Sequence, residues 1–167
     1  HGFCLELLKS EVPAFMKYEV LNEVQQTLFV DRHSKASGLT QSATLTGVPL
    51  KRYTDTRNFI GSLNILREDQ PAAPDRLEGN SVVAQLPGYQ QLLHDKGYLD
   101  YSSILKEAVS ELKGNSGLRE RLSERIRHVI VDEYQDVNPI QEAVVNELHH
   151  LGAGICVVGD DDQTIYQ

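Results

Sequence analysis

The chain has 167 residues, of which 40% are hydrophobic and 24% charged, and its formal net charge is -8. These values are typical of a globular protein with one domain, or one domain with an insertion. The acidic balance argues against a strongly basic nucleic-acid module, although it leaves room for a local basic groove. No apolar run approaches the roughly 18 residues of a membrane span. Two cysteines are too few for a disulfide framework or a zinc site, which favours a cytoplasmic protein.

The first half of the chain is predicted to consist of helices joined by polar segments. Helices are expected over residues 1–12, 18–33 and 53–69, with a polar loop over 34–50. Leu21, Val24 and Leu28 form the apolar face of the second helix. The Pro-rich stretch over 70–80 is typical of a linker.

The second half begins with further helical pattern and then continues with a predicted strand, helix and strand. Helical periodicity runs from about residue 82 to 113, ends at Gly114, and is followed by a short charged helix over 118–127. An apolar strand is then predicted over 128–131, a helix over 139–151 and a second strand over 154–158. A strand–helix–strand unit of this kind implies a parallel sheet with a right-handed crossover.

Local signals support this unit. Asn138 suits the N-cap of its helix, and Pro139 suits the first helical position. Cys156 falls inside the apolar second strand, so we expect a buried, reduced thiol.

Acidic residues follow both predicted strands. Asp132 and Glu133 come directly after the first strand, and three aspartates from Asp160 onward follow the second. The carboxyl ends of parallel strands are where open α/β sheets bind ligands. Asp132 is placed to hold the Mg²⁺ that bridges nucleotide phosphates, and Glu133 to polarise an attacking water as general base. This layout predicts a nucleotide-hydrolysing core, but the sequence lacks a Gly-rich phosphate loop, so we interpret the chain as part of an ATPase.

Four segments carry a resemblance to superfamily 1 helicases of the UvrD/Rep/PcrA type. Asp-Glu-Tyr-Gln-Asp at 132–136, followed by Val-Asn-Pro-Ile-Gln, resembles their motif II. Val-Gly-Asp-Asp-Asp-Gln-Thr-Ile-Tyr at 158–166 resembles motif III. Residues 1–4 resemble the His-Ser-x-Cys part of motif Ib, and residues 100–105 resemble the Asp-Phe-x-x-Leu-Leu element that precedes motif II.

The resemblance implies a fold class and a division into domains. It implies an α/β protein whose residues 1–12 and 89–167 form part of a RecA-like P-loop NTPase domain, with a parallel sheet and helices. Residues 13–88 would form the mainly helical accessory subdomain called 1B, inserted into that domain. A sheet that lacks its first strand would expose an edge.

The resemblance also implies roles for individual residues, with ATP and Mg²⁺ as cofactors. Asp132 would hold the metal ion and Glu133 would be the catalytic base. Gln163 would contact the γ-phosphate and couple hydrolysis to DNA, and Tyr166 would stack on a base of single-stranded DNA. His1 would contact the DNA backbone.

Basic residues and histidines elsewhere in the chain are further candidates for binding roles. Lys51 and Arg52, in a polar loop of the inserted region, are candidate DNA contacts. The arginines between 119 and 127 alternate with glutamates, which is typical of a solvated helix face. His149 and His150 are neighbours on a helix and face different ways, so they do not suggest a metal pair.

The expected function is that of a fragment of an ATP-dependent DNA helicase or translocase moving 3′ to 5′ on single-stranded DNA. Its partners would be single-stranded DNA, duplex junctions and the rest of the parent helicase, which would supply the phosphate loop and the second RecA-like domain. The fragment alone is expected to be inactive. Two alternatives stay open: a fragment of a helicase–nuclease subunit of the RecB/AddA type, and a non-catalytic DNA-binding scaffold with a helicase fold.

Overall fold

The computed structural model describes residues 1–68 and 79–160. The chain divides into two compact units: a first unit of His1–Pro13 and Leu105–Gln167, and a second unit of Ala14–Ile104. Residues 89–104, which the resemblance assigns to the ATPase domain, lie in the second unit, and the domain boundary of the family stays a prediction.

The described residues are mostly helical and include two short parallel sheets, which confirms the α/β class in its coarse form. The helices are α1 (Gly2–Glu11), α2 (Glu23–Arg32), α3 (Thr56–Glu68), α4 (Ser81–Lys96), α5 (Tyr101–Gly114), α6 (Ser116–Arg125) and α7 (Pro139–His150). The strands are β1 (Glu19–Val20), β2 (Tyr98–Leu99), β3 (His128–Val131) and β4 (Gly154–Val157). None of the helices in the described ranges is long and apolar enough to cross a membrane.

The second unit has its own apolar core. Phe29 and Val30 of α2, Phe59 and Leu63 of α3, and Tyr89 of α4 are among its buried residues. The parallel pair β1–β2 also belongs to this unit, with Glu19 beside Tyr98 and Val20 beside Leu99.

The predicted apolar face of α2 is wrong. Val24 and Leu28 are 69% and 49% exposed, whereas Gln26 is buried together with Phe29. The helix begins at Glu23, after the Asn22 cap, so Leu21 is buried ahead of the helix and not on it. Gln26 is buried because its amide donates hydrogen bonds to Tyr89 Oη and Asp100 Oδ2, at 2.9 Å each. A buried amide with partners avoids the free-energy penalty that an unpaired one would incur.

The single helical stretch predicted over 82–113 is in fact two helices. Gly97 ends α4 with a φ of 71°, in the left-handed region that glycine adopts without strain. The chain then forms β2, whose Leu99 carbonyl accepts a hydrogen bond from Leu21 N at 2.8 Å. Because the helical periodicity continues across this short strand, the sequence pattern alone cannot distinguish two helices from one long helix.

The strand–helix–strand unit of the first unit is confirmed. β3 and β4 are parallel and in register, with His128 beside Gly154 and Val131 beside Val157. The handedness of the crossover stays a prediction.

The expectation of a buried Cys156 is wrong, because the thiol is exposed. Its neighbour in the register, Ile130, is 74% exposed. The two residues share one face of a sheet that has only two strands within the described residues, and this face remains open to solvent.

A buried ion pair lies within the second unit. The Arg67 Nη1 and Asp100 Oδ1 atoms are 2.7 Å apart, and the two side chains are 0% and 1% exposed. Arg67 Nη2 donates to Asp100 Oδ2 at 2.8 Å, so the pair is bidentate. Tyr89 Oη donates to the same Oδ2 at 2.8 Å, and Ser103 N donates to Oδ1 at 2.9 Å.

These contacts decide the protonation state of Asp100. Burial by itself would raise the pKa of this carboxyl, but the charge of Arg67 and the hydrogen bonds from Arg67 and Ser103 hold it below its ordinary value. Burial and the Asp100 charge raise the pKa of the Tyr89 hydroxyl, which stays a donor. The carboxylate is therefore charged and fully partnered in the core of the unit.

Replacing Asp100 with Asn tests this network. The Asp100→Asn change leaves the Arg67 guanidinium buried without a counter-charge, and we expect the free energy of unfolding to fall by about 3–5 kcal/mol. The measurement is urea unfolding of the chain followed by circular dichroism. Asp95→Asn is the matched control: Asp95 lies in the same unit with its side chain 61% exposed, and we expect a change within about 0.5 kcal/mol. Equal effects of the two changes would contradict the account.

Candidate functional site

The acids that follow β3 begin a tight loop, residues 132–136, which we call the acid loop. Asp132 and Glu133 are both exposed. Asp132 Oδ1 accepts a hydrogen bond from Glu133 N at 2.9 Å. Glu133 has φ 50° and ψ 46°, in the left-handed region that residues with a β-carbon seldom adopt. The chain therefore turns sharply at Glu133, and Tyr134–Asp136 form a single 3₁₀ turn.

Gln135 joins the acid loop to the end of β4. Its Nε2 donates to Glu133 Oε2 at 2.6 Å, and its Oε1 accepts from Asp160 N at 3.0 Å. The sequence carried no signal for the bond to Asp160 N, because that bond depends on the register of β4.

The backbone holds the two segments together as well. Val158 N donates to Val131 O at 2.8 Å, and Val158 O accepts from Tyr134 N at 3.0 Å. A β-carbon on Gly159 would lie 2.8 Å from Gln135 Oε1 and 3.4 Å from Tyr134 N. A β-carbon at 159 would therefore force the Gln135 amide to shift, and glycine lets the residues after β4 approach the acid loop with that amide in place.

The acid loop also contacts the helix that follows it. Tyr134 Oη donates to Glu142 Oε1 at 3.0 Å, and this hydrogen bond together with the Glu142 charge raises the pKa of Tyr134. Tyr134 thus makes a contact between the acid loop and α7.

The start of α7 is capped as predicted. Asn138 Oδ1 accepts from Gln141 N at 3.0 Å, and Gln141 Oε1 accepts from Asn138 N at 3.0 Å. Pro139 occupies the first turn. This reciprocal capping box satisfies backbone groups that would otherwise lack partners, and it fixes where the helix begins after the acid loop.

Several predicted site residues are not brought to this site by the described structure. Gln163 and Tyr166 lie outside the described residues. His1 precedes α1, and its carbonyl accepts a hydrogen bond from Leu5 N at 2.9 Å. Nearby, Cys4 is buried, and burial raises the pKa of its thiol.

Lys51 and Arg52 are exposed and belong to the second unit, whereas Asp132 and Glu133 belong to the first. The Arg52 guanidinium lies over the ring of Tyr53, 5.0 Å from its centre, and Arg52 Nη2 donates to Tyr53 Oη at 3.0 Å. Tyr53 is 75% exposed and has a φ of 66°. The Arg52 guanidinium thus stands beside an exposed aromatic ring.

The arginines of α6 have acidic partners within the first unit. Arg119 Nη1 lies 3.1 Å from Glu147 Oε2, and Arg121 Nε lies 2.9 Å from Glu11 Oε2. Arg125 also pairs with Glu11. Hydrogen bonds from Arg121 and Arg125 lower the pKa of Glu11. These arginines are therefore engaged in ion pairs within their own unit.

The exposed carboxylates of the acid loop are of the kind that Mg²⁺ binds. Within residues 1–68 and 79–160, no group of three or more His, Cys, Asp or Glu side chains is arranged to hold a metal ion. Mg²⁺ is usually bound through one or two carboxylates together with waters and substrate phosphates. An exposed carboxylate such as Asp132, at the end of a parallel strand, fits that mode of binding.

Comparison with known proteins identifies a family and several relatives of the chain. Residues 1–167 match the family described as the UvrD/REP helicase N-terminal domain. The chain is 35% identical over 138 residues to ATP-dependent DNA helicase UvrD1 of Mycobacterium leprae (strain TN), covering 72% of this chain and 18% of that protein. It is 27% identical over 172 residues to ATP-dependent DNA helicase Rep of Buchnera aphidicola subsp. Baizongia pistaciae, covering 99% and 24%.

A third relative is ATP-dependent DNA helicase PcrA of Staphylococcus epidermidis (strain ATCC 35984), 24% identical over 172 residues, covering 99% of this chain and 23% of that protein. The chain thus spans about a fifth of the length of these relatives, between 18% and 24%.

The cap of α7 yields a test of local stability. We expect Asn138→Ala to lower the free energy of unfolding by about 1 kcal/mol, because an alanine cannot accept the Gln141 N–H hydrogen bond. Urea unfolding of the chain measures the change. Asn138→Asp is the matched variant, since a carboxylate retains the acceptor and we expect nearly unchanged stability. An alanine variant as stable as the aspartate variant would contradict the assigned cap.

Proposed function

Since the chain belongs to the UvrD/REP helicase N-terminal domain family, we propose that it is part of an ATP-dependent DNA helicase that moves 3′ to 5′ on single-stranded DNA. The enzyme would act in the cytoplasm. We propose that residues 1–12 and 89–167 form part of a RecA-like domain and that residues 13–88 form an inserted accessory subdomain. The rest of the helicase would supply the phosphate loop, which this sequence lacks.

The observation that carries the proposal is the acid loop held against the end of β4. Parallel strands place their carboxyl ends at one edge of the sheet, where α/β proteins bind nucleotides. At this edge Asp132 and Glu133 are exposed, while Gln135 and the backbone at Val158 fix the loop that carries them. Exposed acids on a fixed backbone suit a reaction that depends on positioning and charge.

The two acids divide the chemistry between them. Asp132 would hold Mg²⁺, which neutralises charge on the phosphates of ATP. Glu133 would accept the proton of a water as that water's oxygen bonds to the γ-phosphorus and the bond to the departing ADP oxygen breaks. Proton removal by a positioned base typically contributes 10²–10⁴-fold to a rate.

The remaining residues would couple hydrolysis to DNA. Gln163 would contact the γ-phosphate, since an amide both donates and accepts hydrogen bonds. Tyr166 would stack on a base, an interaction worth roughly 1–3 kcal/mol and tolerant of sequence. His1, Lys51 and Arg52 would contact DNA phosphates. Lys51 and Arg52, in the proposed accessory subdomain, would face the duplex at a single-strand junction.

The test is ATP hydrolysis by the full-length protein, with and without single-stranded DNA. We expect DNA to stimulate turnover and Glu133→Gln to lower the stimulated rate by about 10²–10⁴-fold. Glu124→Gln is the matched control, because Glu124 is an exposed acid on α6 of the same unit, and we expect no change. The isolated 167-residue chain should hydrolyse no ATP, since it lacks a phosphate loop.

Two outcomes would contradict the proposal. A folded, DNA-binding wild type without turnover would favour a non-catalytic scaffold. Stimulated turnover that survives Glu133→Gln would mean that another residue is the base.

A further inference from the structure

We propose that Gln135 is a positioning residue that orients the Glu133 carboxylate and ties it to the backbone at Asp160. This inference rests on the proposed role of Glu133 as the base and adds a residue to that site. Gln135 would not touch the reacting atoms itself. It would act through the carboxylate that does.

Both ends of the Gln135 amide are used. Nε2 donates to Glu133 Oε2 at 2.6 Å, and Oε1 accepts from Asp160 N at 3.0 Å. A hydrogen bond to an ionised carboxylate is shorter and about twice as strong as one between neutral groups. A single planar group therefore connects the carboxylate on one segment to the backbone of another.

Glu133 needs such a connection because its surroundings restrain it little. Its side chain is exposed, and its left-handed backbone removes it from the regular alternation of the strand. An exposed glutamate samples several rotamers, and ordering it costs conformational entropy. The hydrogen bond from Gln135 favours one orientation before substrate binds, which is how a base is kept ready for proton transfer.

The backbone at Asp160, which the Gln135 amide contacts, is itself held in place. Val158 O accepts from Tyr134 N at 3.0 Å, and Gly159 approaches the acid loop so closely that a β-carbon would lie 2.8 Å from Gln135 Oε1. Asp160 N is thereby held within reach of the amide. A small displacement of the backbone at 159–160 would break the bond to Gln135 and release Glu133.

Only an amide at this position supplies both bonds. A methionine has similar length but neither donates nor accepts comparably. A glutamate retains an acceptor for Asp160 N, but at neutral pH it donates nothing and places a second negative charge against Glu133. Gln135→Met therefore removes both hydrogen bonds, whereas Gln135→Glu removes only the one to Glu133. Comparing the two variants distinguishes support of the backbone at Asp160 from orientation of the Glu133 carboxylate.

The experiment measures DNA-stimulated ATP turnover of the full-length protein carrying Gln135→Met or Gln135→Glu. We expect kcat to fall about 10- to 100-fold in both, as for a misplaced catalytic group. We expect the KM for ATP to stay within about threefold, because Gln135 does not contact the nucleotide. If Gln135 only supported the backbone, Gln135→Glu would retain activity, and that result would overturn the inference.

A double-mutant cycle checks that Gln135 acts through Glu133. In a Glu133→Gln background, we expect Gln135→Met to lower the residual rate, measured with radiolabelled ATP, by less than about twofold, because residues that act as a unit are non-additive. An equal loss in both backgrounds would indicate general damage to the site and would overturn the inference.

Gly159→Ala tests the same connection without changing Gln135. Its β-carbon would displace the Gln135 amide, so we expect a fall in kcat similar to that of Gln135→Met. Gly114→Ala is the matched control in the same unit, because a β-carbon there meets no atom within 4 Å, and we expect wild-type turnover. Gly159→Ala also tests the inference if Gln135→Met does not fold. A Gly159→Ala enzyme with wild-type kcat would overturn the inference.

The failure of the inference differs from the failure of the proposed function. If Glu133→Gln lowers turnover while both Gln135 variants stay within about twofold of wild type, the inference alone is overturned. If the wild type shows no DNA-stimulated turnover, or Glu133→Gln does not lower it, the proposed function fails and the inference fails with it.

Discussion

The parallel register of β3 and β4 is the constraint on which the site depends. Because Val131 lies beside Val157, the residues after both strands meet at one edge, and Val158 O accepts the Tyr134 N–H. A slip by one residue would turn every side chain of a strand to the other face and move Asp160 N away from Gln135. Backbone pairing therefore holds the loop that carries the two exposed acids. Gly159 leaves room there for the Gln135 amide, which a β-carbon would displace.

The second unit depends on a different interaction, the buried pair of Arg67 and Asp100. Its bidentate hydrogen bonds draw together the elements that carry Gln26, Tyr89 and Ser103, so that each buried polar group has a partner. Such a pair adds little net stability compared with apolar packing, but it penalises any arrangement that leaves one charge alone. Asp100 accepts hydrogen bonds from Gln26 of α2, Arg67 of α3 and Tyr89 of α4. Asp100 also begins the segment that resembles the family element preceding motif II.

Local chemistry predicted much of the fold, and long-range partners account for what it missed. The strands β3 and β4, the Asn138 cap and the helix α7 follow from signals within a few residues. The face of α2 was mispredicted because Gln26 is buried by partners 63 and 74 residues away. The role of Gln135 was missed for the same reason, since its partner Asp160 is 25 residues distant. Motif resemblance supplied candidate acids, but the hydrogen bonds that orient them appear only in the structure.

In the proposed function, Asp132 and Glu133 perform different tasks at one nucleotide site. The most direct test of this division replaces Mg²⁺ with Mn²⁺, which can be detected by electron paramagnetic resonance. Mn²⁺ binding is measured on the full-length protein in the presence of a non-hydrolysable ATP analogue. The account predicts that Asp132→Asn weakens Mn²⁺ binding by at least about tenfold, because a metal-ligating carboxylate is lost, while Glu133→Gln leaves it within about threefold of wild type. Unchanged Mn²⁺ affinity in Asp132→Asn, or an equal loss in both variants, would contradict the division of roles.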